Sequence, residues 1–470
     1  MTMRFPLILS ALVMAFPSPV VAQALSPADT ARIDRLVAQA LADTGTPSAS
    51  IAVVRGGRVV LAKAYGKQSE AGGVADPRQP YQIASISKQF TAAAILLLED
   101  EGKLTLDDVV GRYIPGITGG DRITIRQLLD HTSGLQDYWP QDYSFHAMAT
   151  PVTPLSIVDR WAKKPLDFAP GTQWQYSNTG YVVAGLIVEK VAGMPLLDFL
   201  QRRIFAPLNI RALDQDKAVG PGFPQGYKRF ALGPVRVETP AAAGWLYAAG
   251  ELSMSAADLA RWDIARMNRT LLPAEDWAAQ ETPTTLSGGG TTNYGLGVVV
   301  ARQDGRRIVE HSGEAVGFLS ENIVYPDDKA AIVVLTNSWF GDATDRIARG
   351  IAATVLPAAA VPAEAADDAA ALARARTVYD QLRTGRLDRA LLTDDANYYF
   401  TATAQEDYAR SLGPLGVPAS ITQTGTTRLR GGFVARRYRV VVGGRTLSIA
   451  TFSEPGRDGR FEQFLVSPAQ

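Results

Sequence analysis

Hydrophobic positions recur with two different periods along this chain of 470 residues, and the changes of period divide it. Ile33, Leu36, Val37 and Leu41 share one helical face behind Ser26 and Pro27, which predicts a helix over 26–44. Ser50–Val54 and Arg58–Ala62 are β-rich runs around Arg55-Gly56-Gly57, a hairpin signal. Gln89–Glu101 is apolar through Ile95–Leu98 and stops at Gly102, the pattern of a buried helix. Helical texture continues through Ile125–Asp130 behind Thr124 and through Tyr181–Val191. It ends in a helix running from the Ser255-Ala256-Ala257-Asp258 capping box to about Asn268. Beyond Leu296 the period shortens. Leu296–Arg302, Arg307–His311, Phe318–Tyr325 and Ala330–Leu335 predict strands too closely spaced for parallel crossovers, hence antiparallel.

The two ends differ from this middle. Arg4, the apolar run Phe5–Phe16 and the small residues of Ala22-Gln23-Ala24 have the layout of a cleaved secretory signal over 1–24. The run is far short of the ~20 residues that span a bilayer, and no later segment reaches that length. The expected location is therefore the periplasm or the cell exterior. Residues 25–356 read as one α/β (α+β) domain, an antiparallel sheet flanked by helices. An Ala- and Pro-rich linker over 357–373 leads into a small α+β domain over 374–470. In that domain a helix over Arg374–Thr384 precedes β-runs at Phe433–Val442, Thr446–Phe452 and Phe461–Val466. From 371 onward the chain holds 14 Arg, no Lys and 9 acids, so this end is basic and the remainder acidic.

Composition narrows the chemistry. Lys plus Arg balance Asp plus Glu at 47 each, which argues against a nucleic-acid binder. Absence of cysteine removes disulfides, thiolate metal sites and a cysteine nucleophile. The three histidines, His131, His146 and His311, lack metal-ligand spacing, so no metal and no cofactor is expected. His131 reads as a structural residue closing a short helix, and His146 receives no role. Asp380, Asp394 and Asp395 read as solvated turn or helix-end charges. Tyr138, Trp139, Tyr143 and Phe145 form an aromatic cluster suited either to a substrate wall or to loop packing. Absence of Gly-x-Ser-x-Gly argues against an α/β-hydrolase nucleophile elbow.

What remains is Ser85-Ile86-Ser87-Lys88, the one Ser-x-x-Lys in the chain. A hydroxyl and an amine three residues apart at a helix start lie on one face. Free N–H groups there favour a developing oxyanion. A desolvated lysine loses enough basicity to take a serine proton. Tyr176-Ser177-Asn178 precedes the next predicted helix and offers a phenol for proton transfer and an amide for positioning. His311-Ser312-Gly313 closes a predicted strand, where Gly313 would let a substrate backbone lie along the edge.

This order of three motifs resembles the serine β-lactamase and penicillin-binding-protein superfamily, most closely its class C β-lactamase-like branch (peptidase S12-like). The likeness runs from about Pro47 to Asn337 and includes Leu128–Leu135, Ala248–Trp262 and Tyr294-Gly295-Leu296-Gly297. It implies that Ser85 is the acylated nucleophile, Lys88 and Tyr176 the proton-handling pair, and Asn178, His311, Ser312 and Gly313 the substrate-binding groups. It also implies an oxyanion hole from the backbone N–H groups of Ser85 and Glu314. The expected function is a serine hydrolase acting on amides or esters, such as D-amino-acid peptides. The alternatives are a penicillin-binding protein acylated by β-lactams and a non-catalytic envelope-binding protein. The expected partner is a small-molecule or peptide substrate; oligomeric state stays open. His311 departs from the lysine usual in the family's β-lactamases and offers less charge at pH 7. The C-terminal part is similar to accessory domains of the nuclear-transport-factor-2 fold.

Overall fold

The computed structural model describes residues 24–303, 306–356, 369–456 and 458–469. Residues 1–23 of the expected signal and 357–368 of the expected linker lie outside the described residues. Among the described residues no helix is long and apolar enough to cross a membrane.

Helix α1, Pro27–Thr44, starts where the Ser26 hydroxyl accepts the Asp29 N–H at 3.0 Å and ends at Gly45, whose φ of +73° only glycine adopts freely. The hairpin follows as β1, Ser48–Arg55, and β2, Arg58–Gly66. Helices α2, Lys88–Asp100, α3, Asn178–Ala192, and α4, Ala256–Asn268, come next. Four strands then run consecutively: β3, Val299–Gln303, β4, Arg306–Ala315, β5, Phe318–Tyr325, and β6, Ala330–Thr336. Helix α5, Ala343–Val355, closes this part. The sheet order is β2-β1-β6-β5-β4-β3, and every neighbouring pair is antiparallel.

Alternation along the strands explains the layers. Ile51, Val53, Ile332 and Val334 pack with Ile33, Val37, Ile347 and Ile351 of α1 and α5. Their neighbours Ala52, Val54, Val333 and Leu335 face the other way, toward Phe90 of α2 and Leu259 and Trp262 of α4. Strand β6 is buried on both faces, which is why it reads as an unbroken apolar run. Each large side chain so covered contributes about 1.5–3 kcal/mol.

Two strand boundaries differ from expectation. Gly297, at φ +78°, turns the chain against the Lys88 carbonyl, so the strand expected over Leu296–Arg302 starts at Val299 instead. The strand expected to end at His311 continues to Ala315, held by pairing with Phe318–Val324 of β5. His311, Ser312 and Gly313 therefore lie within β4 and do not close it.

The C-terminal part forms a separate sheet domain. Helix α6 spans Ala369–Thr384, five residues longer at its start than expected because Ala370 to Ala373 are strong helix formers. Helices α7, Asp394–Tyr399, and α8, Ala402–Leu412, follow. Strands β7, Ser420–Arg430, β8, Phe433–Val442, β9, Arg445–Ser453, and β10, Phe461–Pro468, make an antiparallel meander in sequence order. Val378, Tyr379, Tyr408, Tyr438, Ile449 and Phe464 are among the residues of its own core. Asp380 pairs with Arg383 at 2.6 Å, and Asp394 and Asp395 occupy the first turn of α7, as expected of helix-end charges.

This domain leans on the first along a mixed seam. Phe230 and Ala231 enter its core. Tyr143 stacks on Tyr399 at 4.6 Å between ring centroids, and Arg236 bonds Asp407 at 2.7 and 2.9 Å. The β7–β8 turn, Gly431-Gly432, sits against Pro140 with both glycines at positive φ, so its first flanking residue, Arg430, points back into the first domain.

Candidate active site

Ser85 lies in a turn of 3-10 helix, Ala84–Ser87, that runs directly into α2. The sequence suggests an α-helix opening at Ser85, but Ala84 at φ +49° forces a tighter entry. The tighter coil preserves the pairing, because residues three apart eclipse in a 3-10 turn. Lys88 Nζ stands 3.0 Å from Ser85 Oγ.

Lys88 is wholly buried, and its other two contacts are carbonyl oxygens: Asn178 Oδ1 at 2.8 Å and Ala249 O at 2.7 Å. Neither oxygen can donate. Nζ thus has three oxygen partners, the two carbonyls and the Ser85 hydroxyl. Burial drives the Lys88 pKa well below its ordinary value; Asp137 works against that and Arg430 adds to it. An unprotonated amine aimed at a serine hydroxyl is what nucleophile activation requires.

The orientation of the Asn178 amide rests on Asp137. Asn178 Nδ2 donates to the two Asp137 carboxylate oxygens at 3.1 and 3.3 Å, which leaves Oδ1 facing Lys88. The Asn178 N–H also reaches Asp137 at 3.1 Å. Ser177 caps α3, so Asn178 is its first residue, three positions earlier than the predicted start. Tyr176, just outside the cap, presents its ring to Lys88 Nζ at 4.8 Å. Burial raises the Tyr176 phenol pKa, while hydrogen bonding with Ser85 and the charge of Arg430 draw it back.

His131 lies just past the short helix that it is expected to close. Its φ is +62°, its Nδ1 accepts the Ser177 N–H at 3.1 Å, and its ring lies 4.2 Å from that of Tyr176. His311 is buried and both ring nitrogens are engaged, Nε2 with the Tyr294 hydroxyl at 2.8 Å and Nδ1 with the Ser312 carbonyl at 2.5 Å. Burial and nearby Lys88 lower its pKa to about 3. Gly313 is needed on the face of β4 that is turned toward Ile83 and Ser320. A Cβ there would stand 2.2 Å from both the Ile83 carbonyl and the Ser320 hydroxyl, so glycine is required for β4 to approach the chain that leads into Ser85.

Ser85, Tyr176, Asn178, His311, Ser312 and Glu314 line one cleft of about 420 Å³, and its far wall is made by Arg430, Arg436, Arg437 and Phe452 of the C-terminal sheet. Pairing with β3 stops at Glu310, so among the described residues no strand covers that edge of β4 along the cleft. Burial and Asp142 push Glu314 up to about 8, against the pull of Arg430 and Arg437. Trp139 lines the cleft. Tyr143 and Phe145 line a neighbouring cavity of about 450 Å³, and Tyr138 is buried with Trp161 and Trp245, so the aromatic cluster divides among three places. His146 packs edge-on against Tyr398.

Four participants are assigned no role by the sequence: Asp137 and Arg430, which stand in no motif, and the Ala249 carbonyl and Tyr294, which lie in segments of the family likeness. Asp137 is a lone acid directly ahead of the aromatic cluster, with no motif to mark it. Arg430 ends a strand hidden by its Thr- and Arg-rich composition, although the Gly431-Gly432 pair marks the hairpin.

Known proteins resemble this chain in sequence and fold. The chain is 32% identical over 276 residues to Penicillin-binding protein 4* of Bacillus subtilis (strain 168), covering 55% of this chain and 60% of that protein. It thus spans about 60% of the length of the curated relatives it matches. A D-stereospecific amidohydrolase from Streptomyces sp. superposes with a TM-score of 0.60 at 29% identity, over 70% of this chain and 99% of that one. The octameric penicillin-binding protein homologue from Pyrococcus abyssi shares the fold over 93% of this chain and 99% of its own, with a TM-score of 0.62 and 22% identity. The family model described as Beta-lactamase matches residues 33–356, and the chain belongs to that family, within the serine β-lactamase and penicillin-binding-protein superfamily.

Proposed function

We propose that the protein is an exported serine hydrolase that cleaves amide or ester bonds through an acyl-enzyme on Ser85. The observation that carries this reading is the geometry of Lys88, a buried amine with two carbonyl acceptors and a serine hydroxyl 3.0 Å away. Lys88 takes the Ser85 proton as Oγ attacks the substrate carbonyl carbon. The backbone N–H groups of Ser85 and Glu314 receive the oxyanion. Tyr176 passes a proton to the leaving nitrogen or oxygen, and the carbon–heteroatom bond breaks. Water then attacks the ester on Ser85 with the same pair handling its proton. Asn178 holds the amine in place, and Ser312 faces the acyl group from the edge of β4. His311, with both nitrogens engaged, shapes this wall and supplies no fixed charge.

Likeness to the D-stereospecific amidohydrolase supports small D-amino-acid amides or peptides as the substrate class. The 32% identity to Penicillin-binding protein 4* supports a second reading, in which β-lactams acylate Ser85 and leave slowly. Export rests on the n-, h- and c-regions of the first 24 residues. Intact-mass spectrometry after exposure to a fluorophosphonate and to a β-lactam, with D- and L-phenylalanine amide assayed in parallel, tests both. Turnover of the D-amide with a fluorophosphonate adduct on Ser85 is the expected result. A lasting β-lactam adduct without amide turnover would favour the second reading, and absence of any adduct would overturn both.

A further inference from the structure

Arg430 comes from the C-terminal sheet domain, nearly 300 residues away in sequence from the group it meets. Its Nε donates to Asp137 Oδ2 at 2.9 Å and its Nη2 to the Trp139 carbonyl at 3.1 Å. Its guanidinium stacks 4.9 Å from the centre of the Tyr176 ring, on which Lys88 also bears. Asp137 is fully buried, and Arg430 is the cation paired with it among the described residues. From Asp137 the bonds continue through Asn178 to Lys88 and Ser85. A continuous line of five side chains therefore joins the appended domain to the nucleophile.

We propose that Arg430 is a positioning residue of this site: by neutralising Asp137 and clamping it against Asn178, the C-terminal domain keeps the Lys88 amine unprotonated and aimed at Ser85. The inference rests on the reading of Ser85 as nucleophile and Lys88 as its base. A carboxylate two bonds from the amine favours the protonated, inactive lysine; a guanidinium on one oxygen of that carboxylate cancels much of the effect. The groups facing Lys88 are Ser85, Asn178 and the rings of Tyr176 and Tyr181, with the charges of Asp137 and Arg430 behind them and the imidazoles of His131 and His311 nearby. Arg430 itself faces Asp137, Asp142, Tyr176 and Glu314. Of these, only Asp137 touches Asn178 directly.

The sign follows. Acylation requires neutral Lys88, so its rate climbs as pH rises through the lysine pKa. Loss of the Arg430 charge raises that pKa and moves the climb to higher pH; loss of the Asp137 charge moves it lower. The test is the rate of fluorophosphonate labelling of Ser85 in the full chain between pH 5 and 9, with melting temperature recorded for each variant. Arg430→Met and Arg430→Gln are expected to move the acidic limb up by about one unit, a slowing of about tenfold at a pH on the limb. Asp137→Asn is expected to move it down, and the Arg430→Gln/Asp137→Asn double variant to return it toward the wild-type position. Two neutral variants are used so that one folded protein suffices. A folded Arg430 variant with the wild-type limb, or a folded Asp137→Asn with an unmoved limb, overturns the proposal while leaving Ser85 and Lys88 in their roles. A wild-type chain that never labels on Ser85 overturns the roles of Ser85 and Lys88 and this inference with them.

Discussion

The Tyr294 hydroxyl and His311 Nε2 lie 2.8 Å apart in a buried pair, with the opposite ring nitrogen of His311 facing the Ser312 carbonyl. A carbonyl only accepts, so Nδ1 carries a proton, and in the neutral ring Nε2 receives the tyrosine O–H. Burial holds that ring neutral. This has a consequence for stability. The folded-state pKa is about 3, against 6.5 when unfolded, so below 6.5 the unfolded chain binds a proton that the folded chain refuses. Stability is therefore expected to fall by about 1.4 kcal/mol per pH unit from this group between those values. Urea unfolding at pH 6.5 and 4.5 should show a smaller acid loss in His311→Gln than in wild type; an equal loss would mean that the ring titrates normally.

Lys88 is expected to be indispensable as a neutral amine. Lys88→Ala should slow Ser85 acylation by orders of magnitude, and Lys88→Arg should not restore it, because a guanidinium does not release its proton. Since Lys88 satisfies two buried carbonyls, Lys88→Ala is also expected to cost about 1–3 kcal/mol of stability. Ser85→Ala, which removes only the hydroxyl, should abolish labelling with little change in melting temperature. Measurable labelling on Ser85 in Lys88→Arg would remove the lysine from its role.

Gly313 is expected to tolerate no side chain. A methyl group would meet the Ile83 carbonyl at 2.2 Å, two residues ahead of Ser85, so Gly313→Ala must push the nucleophile's own segment aside. A drop of at least about tenfold in acylation rate is expected, since misplacement of a reacting atom by about 1 Å costs that much or more. Kinetics at the wild-type rate would show that the segment yields elsewhere.

Glu281 offers a test remote from the chemistry. It bonds Arg269 at 2.7 Å and Arg307 at 2.8 Å and lies 3.3 Å from the buried Arg266, which also reaches Gln89 and Gln280. Burial pushes its pKa up, but the bonds from Arg269 and Arg307 and the charge of Arg266 prevail and hold it at about 2. Being depressed from 4.5, it contributes stability that is complete above that pH and is lost as pH falls toward 2. Glu281→Gln is expected to cost about 3–5 kcal/mol at pH 7, because it strands a buried arginine, and to lessen the acid loss. Thermal unfolding at pH 7 and pH 3.5 checks both; a variant as stable as wild type would mean that the cluster is solvated.

Much of the frame could be read from local pattern. The hairpin at Gly56-Gly57, the capped helices at Ser26, Thr124 and Ser255 and the closely spaced strands after residue 299 each rest on neighbours in sequence. In strand β7, Thr, Gly and Arg give no clear apolar alternation, and in β4 polar residues fill the half beyond Glu310, so neither shows its full length in the hydrophobic pattern. At the site, Ser85, Lys88, Tyr176 and Asn178 are legible because each opens or precedes a helix and because the order of their motifs resembles that of a known family.

What the chain by itself determined is the set of local elements and the three motifs, since helix starts, turns and i,i+3 pairs depend on contacts a few residues long. Only the folded structure decided that Asp137 orients Asn178, that Ala249 completes the amine's partners, that Gly313 yields space to Ile83 and that an arginine from the far sheet closes the network. Those relations join residues that are not neighbours in sequence, in the case of Arg430 hundreds of positions apart. A one-dimensional period carries no information about which loop a buried carboxylate will meet.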